Sequence, residues 1–96
     1  MKKIAVNKCF GGFGLSQRAR DLYESISGKH IEEYDWCEDM RDDETLIGVI
    51  EQLGADADGK FSEIEIVKIP DNNYWIIDNY DGVETVYYSE SEIKTK

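Results

Sequence analysis

The stretch Cys-Phe-Gly-Gly-Phe-Gly-Leu-Ser, residues 9–16, places three glycines among six successive positions. It follows "KIAVNKCF" (residues 3–10), where apolar and polar residues alternate and the β-branched Ile4 and Val6 predict a strand. Glycine tolerates the left-handed backbone that a sharp reversal requires. The stretch therefore predicts a tight corner, in which Phe10 and Phe13 pack into the core and the chain turns from a strand into a helix.

Apolar spacing predicts two helices. "LSQRARDLYESISG" (15–28) repeats apolar residues at helical intervals, with Ser16 suited to the N-cap and Gly28 to the C-terminal stop. "RDDETLIGVIEQLG" (41–54) shows the same pattern, with Asp42 or Asp43 as N-cap and Gly54 as the end.

The remaining elements are strands. "FSEIEIVKIP" (61–70) predicts a strand that Pro70 ends, and Asp81-Gly82 predicts the turn of a hairpin. The order β-α-α-β-β-β predicts an α+β fold, a two-layer sandwich of about four mixed or antiparallel strands with both helices on one face. We expect a single domain over residues 1–96, with 89–96 as a frayed tail.

The charge is strongly acidic and uneven. The net charge is −10, and residues 1–31 carry six Lys/Arg and two Asp/Glu, whereas residues 32–96 carry five and nineteen. This composition disfavours direct binding to nucleic acid and favours docking onto a basic protein surface. A solvated acidic surface is the alternative. With no signal-peptide core or membrane-spanning run, the sequence predicts a cytoplasmic protein.

Acidic residues are densest in "EEYDWCEDMRDDE" (32–44), which has eight carboxylates among thirteen residues. Aromatic anchors between carboxylates are typical of a protein-recognition surface, although an ordered, solvated loop is the alternative. The candidate partner-binding residues are Glu32, Glu33, Tyr34, Asp35, Trp36, Glu38 and Asp39. Arg41, the one cation of the stretch, is expected to neutralise its neighbours.

The glycine corner also allows a binding interpretation. A strand, glycines and a helix N-terminus form a context that suits anions, but no phosphate-loop or dinucleotide motif is present. The default hypothesis is a structural corner. The alternative is a small-anion or nucleotide site, whose residues would be Gly11, Gly12, Gly14, Ser16, Arg18 and Arg20.

Catalytic signatures are sparse. The chain has one histidine, His30, and two well-separated cysteines, Cys9 and Cys37. No third group is indicated that would orient a Cys–His pair, and the spacing suits no zinc site. We therefore expect a protein that is not an enzyme and has no metal or cofactor.

Three segments together carry a resemblance: "NKCFGGFGLS", "RDDETL" and "VKIPDNNYWIIDNYDG". The chain resembles a group of small proteins encoded by bacteriophages and prophages. The group has no established activity, so the resemblance implies a genomic context and no chemistry. Many members end in a basic-aromatic tail, where this chain has "VYYSESEIKTK".

Phage context and acidity together suggest an inhibitor of a host defence or nucleic-acid-handling factor, such as an anti-CRISPR protein. The first alternative is a nucleotide-binding sponge that uses the glycine corner. The second is a phage housekeeping homodimer joined through the hairpin tyrosines and tryptophan.

Overall fold

A computed structural model describes residues 1–32 and 40–90. Its helices and strands are, in chain order, β1 (Lys2–Asn7), α1 (Gln17–Ser27), α2 (Glu44–Leu53), β2 (Ile64–Ile69), β3 (Tyr74–Tyr80) and β4 (Val83–Ser89). A turn of 3₁₀ helix, Gly54–Ala57, follows α2. The α+β class and the strand count predicted from the sequence are confirmed. Ser89, placed in the frayed tail by the sequence, belongs to β4.

The strands form two antiparallel pairs, where the sequence predicted one sheet of about four strands. In the first pair Lys2 of β1 lies opposite Ile69 of β2, and Asn7 lies opposite Ile64. In the second, β3 and β4 form a hairpin closed by Tyr80 opposite Val83.

The second edge of β1 explains why the four strands do not merge. The Ala5 N–H donates to the Arg41 carbonyl at 2.8 Å, and the Asn7 N–H donates to Glu84 Oε1 at 2.8 Å. These are the donors that a third strand would need. A loop carbonyl and a side chain use them, so the hairpin lies over the β1–β2 pair instead of extending it.

Successive side chains of a strand point to opposite sides of the sheet. On the β1–β2 pair, both sides are covered by other parts of the chain. Ala5, Ile64 and Ile66 face a cluster contributed mainly by the helices and the corner. On the other face a second cluster joins the sheet to the hairpin: Ile4, Val6, Val67 and Ile69 with Trp75, Ile77 and Val86. The two helices and the hairpin thus lie on opposite sides of one small sheet.

The helices begin and end at the residues that the sequence predicts. Ser16 Oγ accepts from the Ala19 N–H at 3.1 Å, and Asp43 Oδ2 accepts from the Leu46 N–H at 3.1 Å. Gly28 ends α1 in the left-handed region, with φ 74°, and Gly54 caps α2. These caps satisfy backbone groups that a helix end leaves unpaired, and all four predicted positions are confirmed.

Candidate functional site

The glycine corner is pressed between two other segments. Gly11 lies against the Phe61 backbone, so closely that a Cβ on Gly11 would overlap the Phe61 carbonyl. A Cβ on Gly82, at the hairpin turn, would lie 2.6 Å from the nitrogen of Gly12. Gly12 itself has φ +86°, a conformation that other residues rarely adopt. The glycines therefore permit close backbone approach, as expected for a structural corner.

The two phenylalanines of the corner behave differently. Phe13 is buried in the helix-side core, whereas Phe10 is 76% exposed. The prediction that both would pack into the core is therefore wrong for Phe10. Phe10 and the exposed Phe61 line a shallow depression of about 320 Å³ that also contains Cys9 and Lys60.

Asn7 holds the corner to its neighbours from a fully buried position. Its Nδ2 donates to the carbonyls of Cys9 at 2.7 Å and Gly82 at 2.6 Å, while its Oδ1 accepts from the Glu63 N–H at 2.8 Å. One amide side chain thus satisfies both its donor hydrogens and its acceptor. It ties together β1, the corner, the hairpin turn and the entry to β2.

Arg41 and Glu84 form a buried ion pair beside Asn7. Arg41 Nη1 lies 2.6 Å from Glu84 Oε1, and Nη2 lies 2.9 Å from Oε2. Both side chains are about 95% buried, and the guanidinium stacks 3.8 Å above the centre of the Phe13 ring. The expectation that Arg41 neutralises its sequence neighbours missed this partner, which lies 43 residues away. The pair joins the loop before α2 to the hairpin.

The residues of the alternative anion site make contacts of their own. Ser16 Oγ caps α1 and also donates to the Asp56 carbonyl at 2.6 Å. Arg18 Nη1 lies 3.4 Å from the Asp56 carboxylate, and Arg20 Nε donates to the Leu15 carbonyl at 3.2 Å. Ser16 and Arg18 therefore meet at Asp56. Gly11 and Gly12 meet the Phe61 loop and the hairpin turn, and the Gly14 carbonyl accepts from Ser62 Oγ.

Of the seven candidate partner-binding residues, the structure describes Glu32. It is exposed, and its Oε1 lies 3.0 Å from His30 Nε2. The other six, Glu33, Tyr34, Asp35, Trp36, Glu38 and Asp39, lie outside the described residues.

His30 lies between two carboxylates at the start of the acidic stretch. Its Nδ1 is 2.8 Å from Glu24 and its Nε2 is 3.0 Å from Glu32. Hydrogen bonds to Glu24 first, and then to Glu32, raise the pKa of His30 above its ordinary value. The pair of contacts fastens Glu32 to the end of α1.

We expect His30 to titrate above about 6.5 in an NMR pH titration, and Glu24→Gln to lower its pKa. Because the folded-state pKa is raised, the contact stabilises the fold below the unfolded pKa, and this contribution is lost as pH rises through the folded pKa. Glu51→Gln, remote from the histidine in sequence, is the control and should leave the titration unchanged. An unshifted wild-type pKa would contradict the contact.

The outer face of the hairpin exposes three tyrosines. Tyr74, Tyr80 and Tyr87 are 54%, 75% and 52% exposed. The pairing places these rings on the face directed away from β1 and β2, together with Ile76 and Asp78. We call these five residues the outer hairpin face. Tyr88 is also half-exposed, but it lies on the opposite face, beside Trp75.

The segment that forms the outer hairpin face is acidic in sequence. Residues 69–93 contain six Asp/Glu and no Lys or Arg. Several cations elsewhere pair within the molecule, as Lys2 does with Asp42, Lys3 with Glu51 and Arg18 with Asp56. Two of the six acidic residues are already paired, Glu84 with Arg41 and Asp71 with the N-terminal ammonium. The exposed tyrosines thus lie in an acidic segment that has no Lys or Arg of its own.

A groove of about 510 Å³ lies between the start of β1 and α2. Its lining contains the ion pairs of Lys2 with Asp42 and of Lys3 with Glu51, together with Gly48. Within residues 1–32 and 40–90, no three His, Cys, Asp or Glu side chains are grouped as metal ligands. Neither helix of this part of the chain has the length and apolar character needed to cross a membrane.

Comparison of the chain with protein-family models, curated proteins and solved structures finds no match.

Asn7 and the Arg41–Glu84 pair are the residues that sequence reasoning missed. A single Arg in an acidic stretch and a single charged residue in a largely apolar and aromatic strand are the signals that could have suggested a buried pair, because buried charges need partners.

Proposed function

We propose that this protein is a non-catalytic binding protein that docks its acidic surface onto a basic surface of a partner protein. The outer hairpin face is the observation that carries the proposal. Tyrosine is enriched at the anchoring positions of protein interfaces, and three exposed tyrosines lie here in a segment without a cation.

The charge of the molecule sets the chemistry of the partner. A net charge of −10 repels phosphate backbones and attracts lysine- and arginine-rich surfaces. Surfaces that hold nucleic acid are of this kind, so an acidic protein bound there would exclude the nucleic acid. Inhibition of a host defence or nucleic-acid-handling factor, in the host cytoplasm, is the specific form of this proposal.

The acidic stretch 32–44 supplies a second contact region. Glu32 is exposed, and its neighbours Glu33, Asp35, Glu38 and Asp39 add four carboxylates within seven positions. Tyr34 and Trp36 are the proposed anchors in this region. Electrostatic complementarity of this kind mainly raises the association rate and suppresses wrong partners.

Charge reversal tests the proposal. The immobilised protein would capture a partner from bacterial lysate, and the affinity of the purified partner would be measured by biolayer interferometry. Asp78→Lys on the outer hairpin face should weaken binding about fivefold, and Glu33→Lys/Asp35→Lys at least as much.

Asp21→Lys is the matched control, since it makes the same charge change on α1, where Asp21 Oδ1 accepts from Gln17. It should change the affinity by less than about twofold. Equal losses of affinity in Asp78→Lys and Asp21→Lys would show that the effect comes from the net charge of the molecule and not from the outer hairpin face. Unchanged binding in all three variants would overturn the proposal.

A further inference from the structure

The outer edge of β3 is unpaired. β3 pairs with β4 alone in the described part of the chain. In a hairpin closed by a two-residue turn, the residues of the closing pair bond to each other and alternate pairs follow. Tyr74, Ile76, Asp78 and Tyr80 therefore direct their backbone groups at β4. Trp75, Ile77 and Asn79 direct theirs away from it, and no described residue bonds to them.

A contact on the other strand supports this assignment. Glu84 lies opposite Asn79, in a pair that does not exchange hydrogen bonds, so its carbonyl should point outward from β4. The carbonyl of Glu84 indeed accepts from Lys8 Nζ at 3.0 Å. At the β4 edge the Glu84 carbonyl is thus already bonded, whereas the outward backbone groups of β3 have no partner among the described residues.

β3 has one charged side chain, Asp78, and none of the other features that protect an exposed edge. Proteins usually blunt exposed edges with lysine, proline, a bulge or a very short strand. β3 is seven residues long, has no lysine or proline, and stays in continuous register with β4 from Tyr74 to Tyr80. Such an edge is a template for one more strand.

Charge determines which strand fits. The carboxylate of Asp78 lies within the outer hairpin face, and Asp81 lies just beyond the end of β3, both exposed. The exposed Asp71, before the start of β3, lies 3.2 Å from the N-terminal ammonium. A second copy of this chain would bring another −10 charge and another segment without cations to the same place. An extended segment with alternating Arg or Lys instead meets carboxylates and tyrosine rings, on which cations stack.

We propose that β3 binds an extended, cationic segment of the partner by strand addition at its outer edge, a mode that rests on the proposed function. The N–H and C=O groups of Trp75, Ile77 and Asn79 supply the ladder. Arg or Lys side chains on the outer face contact Asp78 and the rings of Tyr74 and Tyr80. The alternate side chains of the segment lie on the face shared with Trp75.

Synthetic peptides test the mode separately from the charge. The probe is acetyl-Thr-Arg-Val-Arg-Val-Arg-Thr-amide, matched in length to β3. One control replaces every Arg with Glu, and the other keeps Arg but is N-methylated at its interior residues, which removes the ladder donors and retains the charge. Chemical shifts and amide hydrogen exchange of the protein are followed by NMR.

At saturation, the basic peptide should slow exchange at the amides of Trp75, Ile77 and Asn79 at least about tenfold. The acidic and N-methylated peptides should not. Equal binding of the basic and N-methylated peptides would overturn strand addition and leave the proposed function standing. If no peptide slows exchange at these amides, strand addition is also overturned. The proposed function is then tested separately, by the capture experiment with the charge-reversal variants. Protection in the free protein, together with dimers in sedimentation, would assign the edge to a second copy.

Discussion

Breaking the Arg41–Glu84 pair from either side should destabilise the fold by about 3–5 kcal/mol, because each single change leaves an uncompensated buried charge or removes its partner. The expected loss is a large fraction of the total unfolding free energy of a small domain, which is about 5–15 kcal/mol. Both side chains are about 95% buried and form two short, parallel contacts. Arg41→Met and Glu84→Gln are the variants, and urea unfolding is the measurement.

The double variant Arg41→Met/Glu84→Gln measures how much of each loss in stability comes from the contact between the two side chains rather than from their other contacts. The glutamine amide would retain an oxygen for the Asn7 N–H, which donates to Glu84 Oε1 in the native protein. With no charge left in the pair, the double variant should be more stable than the sum of the single losses predicts, by about 2 kcal/mol.

Lys3→Met and Glu51→Gln are the matched controls. They break a surface ion pair of similar length, 2.6 Å, that is more than a third exposed, and each should cost less than about 1 kcal/mol. Strict additivity of the Arg41 and Glu84 changes would show that the two side chains act independently.

Gly11→Ala should destabilise the protein by about 2–3 kcal/mol, through overlap with the neighbouring backbone. The new methyl group would meet the Phe61 carbonyl, which is main chain and has no rotamer to change. The corner and the Phe61 loop would have to separate, which also strains the hydrogen bond from Glu63 to Asn7. Thermal or urea unfolding measures the loss.

Two other glycines make the comparison specific. Gly12 has φ +86° with open space around a Cβ, so Gly12→Ala should cost about 1 kcal/mol from the backbone conformation alone. Gly48 lies within α2 with open space around it, so Gly48→Ala should stabilise by about 0.5–1 kcal/mol. A Gly11→Ala variant as stable as Gly12→Ala would contradict the close packing of the corner.

Local chemistry made the helices predictable. Ser16, Gly28, Asp43 and Gly54 end the helices where short-range capping rules place them. The Asp81-Gly82 turn was equally predictable, and both residues have positive φ, as the turn of a tight hairpin requires. These features depend on neighbours within a few residues, which a single sequence displays directly.

The arrangement of the strands was not predictable in the same way. The pattern of β1 shows which side chains are apolar but not what lies at its second edge, where Arg41 and Glu84 act from 36 and 77 residues away. The apolar periodicity of a strand does not indicate which distant residues bond to its edge. The same limit explains Phe10, whose apolar ring suggested the core although the corner directs it to the surface.

We propose that the ligand of this protein is another protein with a basic surface. Native mass spectrometry of the tagged protein, purified gently from a bacterial host, distinguishes such a partner from a small ligand. We expect an added mass of protein size that is released as the ammonium acetate concentration rises, since screening weakens contacts between exposed charges. An added mass of a few hundred daltons that persists at high salt would contradict it and would favour a nucleotide or other small anion.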